Sequence, residues 1–197
     1  MQQNNNLKSI EIKHSYSTLE VDIAKEIVAP LLEKSIRYDR GVGFFTSGWL
    51  KKVTKGLLIF IKNNGKARII TSTHLQESDW DAIRTADADD QDGLIVRKSL
   101  EKIIEELEEK LEFDTLSALA WLVRDGILEF RFAIPIGNLK GGIYHSKLSI
   151  FSDIEGNEVA LHGSQNDSNQ ASKNEESLSA FTSWGVGKPW YIEHKNR

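Results

Sequence analysis

Three consecutive stretches decide how this chain is read. They are Tyr144-His145-Ser146-Lys147-Leu148-Ser149-Ile150-Phe151, then Ser152-Asp153-Ile154-Glu155-Gly156-Asn157, then Glu158-Val159-Ala160-Leu161-His162-Gly163-Ser164-Gln165-Asn166. The first alternates and predicts a strand. The second is polar, contains a glycine and predicts a turn. Glu158 to His162 predicts the returning strand. Residues i and i+2 share one face of a strand, so His145 and Lys147 are expected to point the same way. The returning strand would bring Ser164 and Asn166 beside them.

Working outward, Ser177 to Trp184 predicts a final strand. A carboxylate precedes it at Glu175 or Glu176, and Glu176 is preferred because Glu176-Leu178-Ala180 share one face. Upstream, Val21 to Val28 reads as a short amphipathic helix. Pro30 suits the first turn of another through Ser35, where its missing N–H costs nothing. Tyr38 to Phe45 (YDRGVGFF) predicts a strand whose glycines mark close backbone approach. Trp49 to Lys62 predicts one helix, with Gly65 as its stop. Ala67 to Thr71 predicts a buried strand, and Ser78 a cap for a helix from Asp79. Residues 85–94 are Asp-rich and loop-like, Lys98 to Glu112 an acidic amphipathic helix with a solvated face, and 137–142 a flexible loop. Asp114 is expected to cap Thr115 to Arg124, Gly126 to close it, and Leu128 to Ile134 to form a strand. Alternating strands and helices imply an α/β sheet covered on both faces. Residues 1–15 are expected to be a flexible arm and 16–197 a single domain whose C-terminal end is expected to be truncated, since Tyr191 to Arg197 reads as the opening of a helix. An exposed apolar strip is then expected near Trp184 and Trp190.

Composition narrows the function classes. The chain has 197 residues, no cysteine and a net charge of −4. Disulfides, thiol nucleophiles and Cys-based zinc sites are excluded. His14, His74, His162 and His194 lack metal-ligand spacing and read as surface or packing residues. Bulk charge does not suit a protein that coats nucleic acid, so any such contact rests on local basic clusters. The polar start has no signal-peptide core, and the apolar runs are too short to span a membrane. A cytoplasmic protein with no membrane contact is expected. No P-loop is present.

The residue types of the hairpin suit attack on phosphorus. An imidazole, His145, can form a covalent phosphohistidine. Negative charge gathers on the non-bridging oxygens, where Lys147 supplies a cation and Ser164 and Asn166 neutral donors. Glu176 would orient the imidazole. A second histidine must protonate the leaving oxygen and then activate water. With one H-x-K per chain, that acid is expected from a second copy across a twofold axis. Gly163 and Lys173 are candidate substrate contacts, with Lys140 and Lys188 as further phosphate-holding lysines.

H-x-K, a turn, G-S-x-N and a following Glu resemble the signature of the phospholipase D superfamily. The single copy resembles its nuclease branch, including metal-independent restriction endonucleases and the nuclease domains fused to helicases in bacterial defence proteins. Pro30-Leu31-Leu32, Ser35 to Arg40, Gly43-Phe44-Phe45, Trp49-Leu50 and Lys66 to Thr71 are similar to that helicase-fused group. The resemblance implies a phospholipase D-like α-β-α sandwich with a mixed central sheet. It further implies metal-independent, cofactor-free cleavage of DNA in restriction or anti-phage defence, a homodimer with a shared active site, and a fused or associated helicase. Hydrolysis of a phospholipid or another phosphodiester, and a catalytically silent nucleic-acid-binding module, are the alternatives. The chain departs from the superfamily pattern at Ser152, where an Asp is usual and Asp153 stands one residue late, and in the longer gap from Lys147 to Gly163.

Overall fold

A computed structural model describes residues 6–72, 78, 114–133, 143–167 and 174–196. Among these, seven strands form one sheet: β1 (Ser15–Ser17), β2 (Arg37–Val42), β3 (Lys66–Thr71), β4 (Leu128–Phe132), β5 (Lys147–Ser152), β6 (Glu158–Gly163) and β7 (Ser177–Thr182). Their order is β1-β7-β6-β5-β2-β3-β4. β2, β3 and β4 run parallel, whereas β2–β5, β5–β6, β6–β7 and β7–β1 are antiparallel. The sheet is therefore mixed, with a parallel half and a meander half that meet between β2 and β5.

Alternation fixes which face each strand buries. Tyr38, Arg40 and Val42 on β2 and Lys147, Ser149 and Phe151 on β5 all turn to the same side and are buried. The register places Tyr38 opposite Phe151, and Phe151 opposite Val159. The Tyr38 and Phe151 rings stack at 4.7 Å. That face is covered by a helical run, a π-turn Ala24–Val28 continuing into α1 (Ala29–Lys34), together with α3 (Thr54–Lys62) and α4 (Thr115–Arg124). Leu31, Leu32, Phe60, Leu119 and Leu122 are among the buried side chains they contribute. On the opposite face α5 (Lys188–Lys195) packs on β6 and β7, with His194 against His162 and Phe181. Helices on both faces make an α/β sandwich.

Several local expectations are revised. Trp49 to Lys62 is two helices, α2 (Gly48–Lys52) and α3, separated at Val53, whose φ of −106° and ψ of 13° leave the helical region. Asn64, at φ 57°, takes the left-handed position after α3 in place of Gly65. Asparagine tolerates that conformation. Gly65 is instead needed for contact, since a Cβ there would meet the Phe60 ring at 2.6 Å. Asp114 does cap α4, accepting from the Ser117 N–H at 3.1 Å, and Gly126 at φ 60° follows it. The helix expected from Tyr191 starts three residues earlier, with Pro189 in its first turn. The expectations on Ser78–Asp79, 85–94, 98–112 and 137–142 lie outside the described residues or rest on residues that do.

The segment assigned to a flexible arm is described from Asn6 on, and from there it is built into the domain. Leu7 is fully buried and its N–H donates to Asp153 Oδ2 at 2.9 Å. Asp153 also accepts from the backbone of Glu155 and Asn157 and from Asn157 Nδ2. Asp153 thus organises the β5–β6 turn. Lys8 lies 5.9 Å over the Trp184 ring, which is half-buried, whereas Trp190 is 54% exposed.

The contact between α1 and α3 generates a test of the packing. A Cβ on Gly56 would stand 2.4 Å from the Ala29 carbonyl oxygen and 2.7 Å from its Cα. Alanine gains about 0.5–1 kcal/mol in an unhindered helix, but overpacking against backbone costs about 1–3 kcal/mol. Gly56→Ala is therefore expected to destabilise by ~1–2 kcal/mol in urea unfolding. An equally or more stable variant would show that the two helices are not in close contact.

Candidate active site

Lys147 is the first residue of β5 and sits at the sheet end where β6 finishes and β7 begins. Its side chain is buried, at 7% exposure, on the helix-covered face. It lines a small cavity with Arg40, Ser149, Gly163, Gln165, Asp167 and Leu178. Nζ donates to the His145 carbonyl at 3.2 Å. Burial depresses the ammonium pKa below the ordinary lysine value, and the Arg40 guanidinium depresses it further, while the charge of Glu176 opposes both.

His145 is placed differently from the expectation. The ladder begins at Lys147, opposite Val42, so residues 143–146 precede the strand. His145 is exposed whereas Lys147 is buried. Their relation is set by the lysine folding back onto the histidine carbonyl, and not by a shared strand face. What seats the imidazole is Gly43. A Cβ there would meet His145 Nδ1 at 2.8 Å and Cα at 3.1 Å. At Gly41 a Cβ would lie 2.3 Å from the Tyr144 hydroxyl. The two glycines of YDRGVGFF therefore admit Tyr144 and His145 against the end of β2, the close approach that the sequence marks.

Gly163 ends β6 and has no room for a side chain, since a Cβ would meet the Ser177 carbonyl at 2.1 Å. Ser164 extends this contact. Its N–H donates to Ser177 O at 3.0 Å, and its Oγ accepts from Ser177 N–H at 3.1 Å. The Ser164 hydroxyl thus locks β6 to the residue after Glu176. Asn166 is half-buried, and its Oδ1 is buried with no hydrogen-bond partner among the described residues. Glu176 is buried and Glu175 exposed. The Glu176 backbone is gripped by Thr18, just beyond β1, whose Oγ1 accepts from Glu176 N–H at 2.8 Å. Lys173 and Lys140 lie outside the described residues. Lys188 opens α5 only after β7 has run to its far end, where Thr182 pairs with Val159.

Two residues escaped the sequence reading. Arg40, 7% exposed, donates from Nε and Nη2 to the Asp167 carboxylate, at 3.1 and 2.7 Å, and from Nη2 to the Gln165 carbonyl at 2.8 Å. Nη1 reaches Ser149 Oγ at 3.2 Å. The signal was available: Arg40 is a charged residue at an inward position of an alternating strand, which requires a buried partner. Among the described residues no group of three or more His, Asp or Glu could hold a metal ion.

No family model matches the sequence, and no curated protein matches it. Solved structures do. NucT from Helicobacter pylori aligns with a TM-score of 0.52 at 12% identity, over 92% of this chain and 91% of that one. Nuc from Salmonella typhimurium, a phospholipase D family member, aligns at 0.46 and 14% identity, over 91% and 88%. A mutant of yeast tyrosyl-DNA phosphodiesterase aligns at 0.41 and 11% identity, over 76% of this chain and 26% of its own. The fold, a mixed seven-stranded sheet between helices, is shared with NucT along nearly the whole of both chains.

The electrostatics of Lys147 give a measurable consequence. Its folded pKa is depressed, so the proton leaves at lower pH than from a free lysine, near 10.4. If the ammonium is needed for turnover, the alkaline limb of the pH–rate profile is expected below that value. Glu176→Gln removes the charge that holds the proton, and the limb should move to still lower pH. A limb that stays fixed in Glu176→Gln would separate Glu176 from Lys147.

Proposed function

We propose that this chain is a metal-independent phosphodiesterase that cleaves DNA through a phosphohistidine at His145. The observation that carries this reading is the pairing of an exposed imidazole with a buried ammonium. The ammonium bonds the same residue's carbonyl and stands in the field of Glu176. A cation buried with incomplete neutralisation is suited to a dianionic or phosphorane-like group that arrives with the substrate.

In the first step an imidazole nitrogen of His145 bonds to phosphorus as the P–O bond to the leaving strand breaks. The leaving oxygen takes a proton from an acid, which we assign to His145 of the partner subunit in a twofold dimer. Lys147 and the Asn166 amide face the charge on the non-bridging oxygens. In the second step water bonds to phosphorus, its proton passes to that same base, and the P–N bond breaks to release a phosphate end and free His145. Glu176 supports the ammonium and orients the imidazole. Ser164 acts through Ser177, holding the strand that delivers Glu176. Gly163 is retained as a substrate contact through its backbone, at the end of β6 near Lys147, and Lys173 as a flanking phosphate contact.

A groove between residues 18–25 and α2 ends at Gln165 and is lined by Lys25, Lys51 and Lys52 together with Glu20 and Asp22, the last paired with Lys25. It offers a polymer strand a path to the site and supports a nucleic acid over a compact diester. The resemblance of Pro30-Leu31-Leu32, Ser35 to Arg40, Gly43-Phe44-Phe45, Trp49-Leu50 and Lys66 to Thr71 to the helicase-fused group supports a role in restriction or anti-phage defence, with a helicase as partner.

Incubation with plasmid DNA in excess EDTA tests the proposal. Cleavage is expected to persist in EDTA. His145→Ala is expected to abolish it with an unchanged unfolding midpoint, and Lys147→Ala to reduce it by at least ~100-fold. Cleavage that stops in EDTA and returns with magnesium, or survives His145→Ala, would overturn the reading. Hydrolysis of phosphatidylcholine but not DNA would replace the substrate class.

A further inference from the structure

The segment that follows β6 has an unusual path. Gly163 ends β6, yet four residues later Asp167 bridges Phe45, just beyond β2, and accepts the Thr46 N–H at 2.8 Å. In the sheet, β5 lies between β6 and β2. Residues 164–167 therefore cross over the start of β5, where Lys147 emerges. The crossing is held from beneath by Arg40 alone among the described side chains. Its fork takes the Gln165 carbonyl and both oxygens of Asp167, while its third nitrogen rests on Ser149 of β5. Asn166 stands between these two anchored residues. Its Oδ1 meets no partner among the described residues, so the backbone on either side fixes where its amide points.

We propose that Arg40 and Asp167 are positioning residues for the reaction, clamping the 164–167 crossing so that Asn166 is aimed at the substrate phosphate above Lys147. The inference rests on the phosphodiesterase reading for its catalytic readout, but not for its structural one. A buried ion pair that serves only stability can be exchanged for apolar residues of similar volume with little loss. A clamp cannot be exchanged in this way, because apolar side chains do not hold the Gln165 carbonyl. Nor can lysine stand in for arginine, since a single ammonium cannot bond three acceptors in a planar fork. Neither residue touches the reacting atoms.

The experiment compares wild type, Arg40→Met/Asp167→Leu and Arg40→Lys. Bis(p-nitrophenyl) phosphate in EDTA is the substrate, with amide hydrogen exchange over 164–167 and thermal unfolding followed in parallel. The double variant is expected to unfold cooperatively near the wild-type midpoint, to lose protection over 164–167 and to lose kcat by ~10- to 100-fold. Its KM should change by less than about threefold, since misplacement acts mainly on the transition state. Arg40→Lys should fold and show the same pattern, smaller in size. A folded double variant with wild-type kcat and wild-type protection would overturn the clamp. If the double variant does not fold, Arg40→Lys decides alone, and wild-type kcat with wild-type protection overturns it. If the wild-type chain hydrolyses neither the probe nor plasmid DNA in EDTA, the phosphodiesterase reading fails. The exchange data then decide the clamp: unchanged protection in Arg40→Lys overturns it.

Discussion

The structure turns on two cations buried side by side at one end of a sheet. Arg40 and Lys147 lie on neighbouring antiparallel strands and face the same covered side. Each has a carboxylate to answer it, Asp167 for the guanidinium and Glu176 for the ammonium, but the two cases differ. Every nitrogen of the Arg40 guanidinium donates a hydrogen bond, to Asp167, the Gln165 carbonyl or Ser149. Lys147 gives one bond to a carbonyl among the described residues, and its burial, with the Arg40 charge beside it, is why its proton is held weakly. Two unit charges 4 Å apart interact by about 4 kcal/mol at an effective dielectric near 20. Removing one partner of a buried pair therefore disturbs the rest, at a cost of about 3–5 kcal/mol.

The fold around this pair explains how such an arrangement is reached. β2 and β5 meet where the parallel half of the sheet joins the meander, so residues far apart in sequence come within bonding distance at this seam. Arg40 and Asp167 are 127 positions apart. Small residues make the seam possible: Gly41 and Gly43 admit Tyr144 and His145, and Gly163 admits the start of β7. The same economy appears at the turn beyond, where Asp153 ties the hairpin to Leu7 and so draws the beginning of the chain into the core.

Much of this architecture was legible in the residues. Alternation located β2, β3, β4, β5, β6 and β7, because each has one buried face and the period of two survives in the sequence. Asp114 and Gly126 marked α4 through the chemistry of caps. Three-residue β1 was not legible: Ser15-Tyr16-Ser17 is too short to show a period, and it exists because β7 offers it an edge. The break at Val53 was hidden, since helical spacing of apolar residues continues across it. In the site, the residue types were legible and their relations were not. A strand from Tyr144 would have put His145 and Lys147 on one face, whereas the ladder starts at Lys147 and the histidine stands outside it. Arg40 entered only as part of the stretch that resembles the helicase-fused group, and Asp167 was given no role. Their pairing is a long-range contact that no local pattern encodes. The account of Ser164 shifts for the same reason, from a donor to substrate to a brace on Ser177.

The central claim is that His145 bonds covalently to phosphorus. Intact-mass and peptide mass spectrometry after acid-free quenching, during turnover of bis(p-nitrophenyl) phosphate in EDTA, measures this most directly. The account expects a transient adduct on the peptide carrying His145, of the mass of one p-nitrophenyl phosphoryl group, absent from His145→Ala. Turnover at full rate with no adduct on that peptide, or with the adduct on another residue, would contradict it.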